Sequence, residues 1–312
     1  MAAYLIRRLW QMVPTLVGVV LLVFFLFKYF GGDPAEILGG LNATPEQIDA
    51  IRTQLGLNEP VWKQLWIFLT QIVTFDWGQS WATNEPVGAM FASRLPATLT
   101  VMTPILVLDI LLAIPIALAV AYVRGSLTDR TIMVVTTVAL SISFLVYVIV
   151  GQYVFAFLLG WFPVQGWSDS VWTNLLVYTP LPVLLAVLVG LSPQTRLYRS
   201  FFLDEIGQDY VRTARAKGLT EKRILLKHVL RNAMIPILTN VAVALPGIFV
   251  GSFLIETFFS IPGLGREVLL AVNRSDYPVI QAVTIYIAVL TMLINLATDV
   301  LYKWVDPRVV LK

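Results

Sequence analysis

"DYVRTARAKGLTEKR", Asp209 to Arg223, is polar, strongly basic and interrupted by one glycine, yet it lies between two long apolar runs. The chain around it has 312 residues, 58% hydrophobic and 13% charged, where an average soluble domain carries roughly 25% charged residues. Leu, Val, Ile, Phe and Ala recur in runs that no soluble core of this size can hide, so the chain reads as an integral membrane protein. The absence of cysteine excludes disulfides, thiolate metal sites and cysteine nucleophiles. A lone histidine, His228, argues against a zinc or haem site.

A helix crossing about 30 Å of hydrocarbon needs about 20 apolar residues. Six stretches qualify: Leu9–Phe30, Leu99–Val123, Ile132–Leu159, Leu175–Leu191, Ala233–Phe259 and Val279–Tyr302. The runs are continuous and do not alternate, which points to helices and away from a barrel. The first run follows Arg7 and Arg8 but is longer than a signal core, and "GGDPAEILGG" follows it without a cleavage signature, so it reads as an uncleaved span. Alternate loops are unequal in Lys and Arg. Sixteen of the 22 fall on the side of both termini, nine of them between spans four and five, and Lys28, Arg52, Lys63, Arg94, Arg266 and Arg274 fall on the other. The excess places both termini, and the opening stretch, in the cytoplasm.

The segment from Gly31 to Pro96 is too long for a connector. "TPEQIDAIRTQLG" has Thr44 as N-cap, Pro45 at the first position and Gly56 as a stop. "PVWKQLWIFLTQIVTF" follows with Val61, Leu65, Phe68, Leu69 and Ile72 on one face, an amphipathic helix resting on the outer membrane surface or on the bundle. "FDWGQSWATNEP" reads as loop.

In the opening stretch, Asp204 to Lys217 is expected to form one short helix, acidic early (Asp204, Glu205, Asp209) and basic at its end. Gly218 suits a left-handed position after the helix, with Leu219 as the accompanying apolar contact. Thr220 then caps a second helix, "EKRILLKHVLRN". Tyr210, Ala214 and Lys217 share one face, with Arg212 and Arg215 elsewhere. Two readings stand: a solvated basic loop that anchors topology, or a knob, with small Ala214 and exposed Tyr210, inserted into a partner's groove.

"GQDYVRTARAKGLTEKRILLKHVLRNAMIPIL" resembles the cytoplasmic Glu-Ala-Ala loop of binding-protein-dependent ABC importer permeases, in the form used by the dipeptide/oligopeptide family. Gly218 matches that family's glycine and Ala214 its second alanine. Arg212 and Thr213 replace the first two motif residues, and Arg231 stands where many relatives have proline, departures that the peptide branch itself shows. "YLIRRL", "GGDPAEIL", "LGLNEPVWKQ", "IETFFSIPGLG", "RSDYPVIQA" and "VDPR" agree in order, so the resemblance covers essentially the whole chain.

The resemblance implies an all-α, six-span, type I ABC importer permease fold in the inner membrane. Its parts are a first helix (1–30), an external helical segment (31–95), a five-helix core (96–302) with a coupling loop at 192–232, and a tail (303–312). It implies half of a pore for di- or oligopeptides, a homologous second permease, two cytoplasmic ATPase subunits carrying ATP and magnesium, and an external binding protein. No Gly-Lys dipeptide occurs, so the chain has no P-loop and cannot bind ATP in that way; no cofactor of its own and no enzymatic activity are expected. No nucleic acid is expected. The coupling residues implied are Asp209, Tyr210, Arg212, Ala214, Arg215, Lys217, Gly218 and Leu219. Relatives carrying nickel chelates, glutathione, sugars or peptide antibiotics leave the solute open.

Ionisable groups inside a membrane are costly and usually face protein or water. Asp109, deep in the second span, is therefore the first candidate for the translocation path, with Glu256 and Asp299 nearer the membrane boundary or paired with a neighbour. Ser141, Ser143, Gln152 and Asn240 line the path or pack between helices. The turn Pro262 to Gly265 is expected beside the pore mouth. A secondary transporter needs its own ion-coupling site, which one deep acid scarcely provides. An intramembrane protease needs a histidine within the membrane, whereas His228 lies in the basic segment.

Overall fold

The computed structural model describes residues 2–40 and 43–305; Asp306–Lys312, with most of the "VDPR" motif and tail cations Arg308 and Lys312, lie outside them. The fold is all-α, and the described residues contain no strand beyond an isolated Gln79–Pro86 bridge. The helices are α1 (Ala2–Phe30), α2 (Pro34–Gly39), α3 (Pro45–Gln54), α4 (Val61–Val73), α5 (Val87–Tyr122), α6 (Leu127–Ser141), α7 (Phe144–Gly151), α8 (Val171–Thr173), α9 (Pro180–Ile206), α10 (Asp209–Ala216), α11 (Glu221–Ile224), α12 (Leu230–Val250), α13 (Phe253–Phe258), α14 (Leu264–Asn273) and α15 (Tyr277–Val305). Wide π-helical turns continue α7 (Gln152–Leu158), lead towards α9 (Asn174–Tyr178) and join α11 to α12 (Leu225–Val229).

Five helical stretches are long and apolar enough to cross a membrane, and a bent pair makes a sixth. That pair corrects one expectation. The run 132–159 is not one straight span: α6 ends at Ser141, α7 starts at Phe144, and the two meet at 89°. The Thr137 and Ser141 hydroxyls donate back to the carbonyls of Met133 and Thr137, a pattern that bends helices. Past the break, the Tyr147 hydroxyl donates to the Ala139 carbonyl at 3.1 Å, which also accepts from the Ile142 amide at 3.4 Å, so the start of α7 is tied back to the end of α6.

Other boundaries also differ from expectation. The fourth span begins at Pro180, whose fixed φ suits a first turn, and runs to Ile206. The segment 192–232 is consequently not all loop: its first third is the end of a membrane helix. The helix expected over Asp204–Lys217 is broken at Gly207 and Gln208. The fifth span ends at Val250, where Gly251 has φ +81°, and Glu256 belongs to a separate short helix.

The chain divides into two compact units, Met1–Pro96 with Leu264–Lys312, and Ala97–Gly263. In the first, α1 packs along α15, and Arg8 Nε meets Asp299 Oδ2 at 3.1 Å. Thr44 forms a capping box with Gln47 at the start of α3, and Gly56 has φ +67° after its end, as the sequence indicates. Buried Asp276 accepts from Ser80 Oγ at 2.5 Å and from the Trp81 and Ala82 amides, tying the 76–86 loop to the start of α15.

The second unit has two apolar clusters. One joins α5, α9, α10 and α12 through Ala113, Ala117, Tyr198, Phe202, Val211, Ala214, Val229 and Ile237. The other joins α5, α7, α9 and α13 through Val101, Val148, Leu185 and Ile255. Asp129 on α6 takes two bonds from Arg199 on α9, at 2.9 and 2.8 Å, and one from the Gly125 amide. Large apolar side chains such as Trp10, Leu22, Val134, Val138, Phe157, Leu176 and Val243 stay exposed, an extent that suits lipid or neighbouring chains rather than water.

Candidate functional site

The opening stretch folds as a closed hairpin. α10 starts after Gln208, in extended backbone, with Asp209 in its first turn and Arg215 in its last. These charges complement the helix dipole. At the far end Gly218 has φ +75°. Its amide donates to the Arg215 carbonyl at 2.9 Å and the Leu219 amide to the Ala214 carbonyl at 3.3 Å. Those two bonds define a Schellman turn, and Leu219 packs on the apolar cluster beneath it, as the sequence predicts. Thr220 occupies the N-cap position of α11 without a side-chain cap bond. Across the turn, Arg215 grips Glu221 with two bonds, 2.8 and 3.2 Å.

The hairpin's orientation corrects the sequence reading. Ala214 is buried, together with Val211, against Tyr198, Phe202 and Ile224 of its own chain. Tyr210 is half-buried, and its hydroxyl donates to Glu205 Oε2 at 2.5 Å. Burial first, then that carboxylate, pushes the phenol up to about 12. Neither residue is an exposed knob. The small alanine serves close packing of α10 on the bundle. The exposed positions are Asp209, Arg212, Thr213 and Ala216, at i, i+3, i+4 and i+7, with Arg215, Lys217 and Gly218 beside them. Ala216 was missed from sequence. The signal was there: burying apolar Val211 and Ala214 forces the opposite face outward.

The polar groups expected on a translocation path separate into sets. Asp109 on α5 is buried, and its Oδ1 has no hydrogen-bond partner among the described residues. It lies against α9 at Gly190, where a Cβ would stand 3.0 Å from that oxygen. Glycine admits the carboxyl there. Asp109 is within electrostatic reach of Tyr198, whose hydroxyl donates to Asn240 Oδ1 at 3.2 Å. Asp109 and Asn240 thus share one polar neighbourhood inside the bundle.

Glu256 and Gln152 do not belong to it. Glu256 is fully buried and accepts from the Thr98 hydroxyl at 3.0 Å. Gly251 and Gly263 close around its carboxyl so tightly that a methyl on either would collide with it. Gln152 donates to the carbonyls of Val164 and Phe258, each at 3.0 Å, a clamp between the π-helical turn and α13. Ser141 and Ser143 are exposed at the α6–α7 bend. Among the described residues no group of three His, Asp or Glu side chains is placed to hold a metal ion.

Comparison with known proteins accounts for almost the whole chain. Residues 110–311 match the family described as "Binding-protein-dependent transport system inner membrane component", and residues 1–102 match its N-terminal counterpart. A putative peptide transport system permease protein of Brucella abortus (strain 2308) is 34% identical over 99% of both chains. A glutathione transport system permease protein of Salmonella choleraesuis (strain SC-B67) is 36% identical over 99% of both. An all-α chain of apolar spans, matched from end to end in this way, belongs to the binding-protein-dependent ABC transport family as an inner-membrane permease component.

Proposed function

We propose that the chain forms half of the translocation pore of an ATP-driven importer of di- and oligopeptides. A homologous permease supplies the other half, two cytoplasmic ATPase subunits carry ATP and magnesium, and an external binding protein delivers the peptide. Both termini and the α10–α11 hairpin face the cytoplasm. The cation excess on that side supports the orientation. The similarity to both a peptide and a glutathione permease supports short peptides as the substrate class, glutathione being one.

One observation carries the reading: the outward face of α10 over a locked turn. Asp209, Arg212, Thr213 and Ala216 present charge and a small side chain to a partner's cleft, while the Schellman turn and the Arg215–Glu221 pair keep the hairpin rigid. Beneath it, Val211 and Ala214 pack on Tyr198 and Phe202. Closure of the ATPase pair then moves α9 and α12 as one body with the hairpin, biasing two states of the pore. Tyr198 extends this connection to Asn240 and Asp109, the residues we assign to the peptide path. Ser141 and Ser143 are open to it at the α6–α7 bend, whereas Glu256 and Gln152 hold the framework.

The test uses the complete transporter in proteoliposomes. Ala216→Trp adds bulk to the outward face without touching the core. Peptide uptake is expected to fall at least about ten-fold, the effect of losing roughly 1.4 kcal/mol of docking, with the chain still inserted and folded. Unchanged uptake and ATP turnover would remove the docking role.

A further inference from the structure

The first unit holds a cleft of about 920 Å³ that none of the above uses. It is bounded by the last turns of α1, by α2, the end of α3 and the turn after it, by α4, the 76–84 loop and the first turns of α15. We infer that this cleft is a phospholipid site, with the acyl chain between α4 and the α1–α15 pair and the head-group phosphate on Lys28.

Three observations converge on that occupant. The floor is apolar and aromatic: Phe24, Phe27, Phe68, Ile72 and Ile285 line it, and the Phe24 and Phe68 rings lie 5.7 Å apart. Its volume is near the top of the roughly 300–1,000 Å³ usual for small-molecule pockets, so it has room for more than solvent.

The second observation is charge. Lys28 and Arg52 are the cations on the wall, which also carries Asp33 and Asp76, and Arg52 is consumed by its ion pair with Asp33. Lys28 gives one hydrogen bond, Nζ to Gln64 Oε1 at 2.9 Å, and an ammonium has three donors. Two donors therefore remain beside the cleft for phosphate oxygens.

The third is depth. Lys28 sits half a turn from the end of α1 at Phe30, with Phe24 one turn further into the span. A lysine at a span's end places its ammonium at head-group level. α4, on the other side of the cleft, exposes Trp62, Trp66 and Val73 on its outer face, an amphipathic helix lying at the membrane boundary. A water-soluble peptide needs neither this alignment nor an aromatic floor continuous with the lipid-facing helices. A bilayer lipid fits both.

The test is made on the full-length chain in nanodiscs of phosphatidylethanolamine and phosphatidylglycerol. A phosphatidylglycerol with a photoreactive acyl chain is expected to label segments containing Phe24–Phe27 and Phe68–Ile72. Labelling confined to other lipid-exposed helices would overturn the assignment. Native mass spectrometry after mild detergent extraction should show one retained phospholipid, lost when Ile72→Trp fills the floor. Lys28→Met should lower retention by at least about ten-fold, the lower end of the effect of removing a hydrogen bond to a charged group. Equal retention in wild type and both variants, or displacement of the lipid by a short peptide, would refute the site.

Discussion

Glu256 shows how much a single buried carboxylate dictates around it. Its oxygens occupy the space where Gly251 or Gly263 would carry a side chain; a Cβ at Gly263 falls 2.5 Å from Glu256 Cδ and 2.6 Å from Thr98 Oγ1. Gly263→Ala should therefore destabilise the chain by about 1–3 kcal/mol, the usual range for overpacking. Gly247→Ala, where nothing lies within 4 Å, should be neutral or raise the melting temperature, since alanine is the better helix former. Thermal unfolding in detergent compares them directly, and equal losses at both positions would contradict the cage. Asp109 follows a different logic. Gly190 leaves just enough room for its carboxyl, so Gly190→Ala should disturb peptide uptake more than folding, measured as transport against melting temperature.

Among elements, the ties between helices are less legible in sequence than the helices themselves. The Asp129–Arg199 pair joins α6 to α9 with side chains only 7% and 18% exposed. Removing one partner strands the other, so Asp129→Asn should cost roughly 2–4 kcal/mol, below the full penalty of a wholly buried pair because arginine keeps some solvent. A second tie, Arg52 to Asp33, holds α3 beside α2. Burial alone would raise the Asp33 carboxyl, but bonds from Arg52 and the Ala35 amide outweigh it and hold the pKa below its ordinary value. The folded carboxyl thus binds its proton less tightly than the unfolded one. Its contribution is fully present above the unfolded value of roughly 4 and lost as pH falls through the folded value. Limited proteolysis of the α2–α3 segment should accelerate only in strong acid, whereas Arg52→Gln should flatten that dependence. A rate that rises towards neutral pH would contradict it.

The same scale explains what sequence reading reached. Thr44, Pro45 and Gly56 bound α3 because caps and stops act through neighbouring backbone, and the Gly218 turn is legible for the same reason. Hydropathy sees transfer into lipid but not direction, so the 89° break after Ser141 was hidden inside one apolar run. It missed the continuation of α9 to Ile206 because Arg196, Arg199, Ser200, Asp204 and Glu205 interrupt the apolar run and resemble a loop when their tertiary partners are unknown. The inward turn of Ala214 and the cage around Glu256 depend on residues far apart in sequence, which local patterning does not encode.

At the scale of the whole molecule, the central claim is that the α10–α11 hairpin is the handle by which ATPase subunits drive the permease. The chain contains no cysteine, so one introduced thiol reports one position. In the assembled transporter, Ala216→Cys on the outward face should crosslink to an ATPase subunit carrying a cysteine in its docking cleft, and nucleotide should change the yield. Val211→Cys, on the buried face, should not crosslink. Crosslinks from Ala216→Cys that follow nucleotide state are the result the account expects. No ATPase product from Ala216→Cys, with uptake intact, would contradict it.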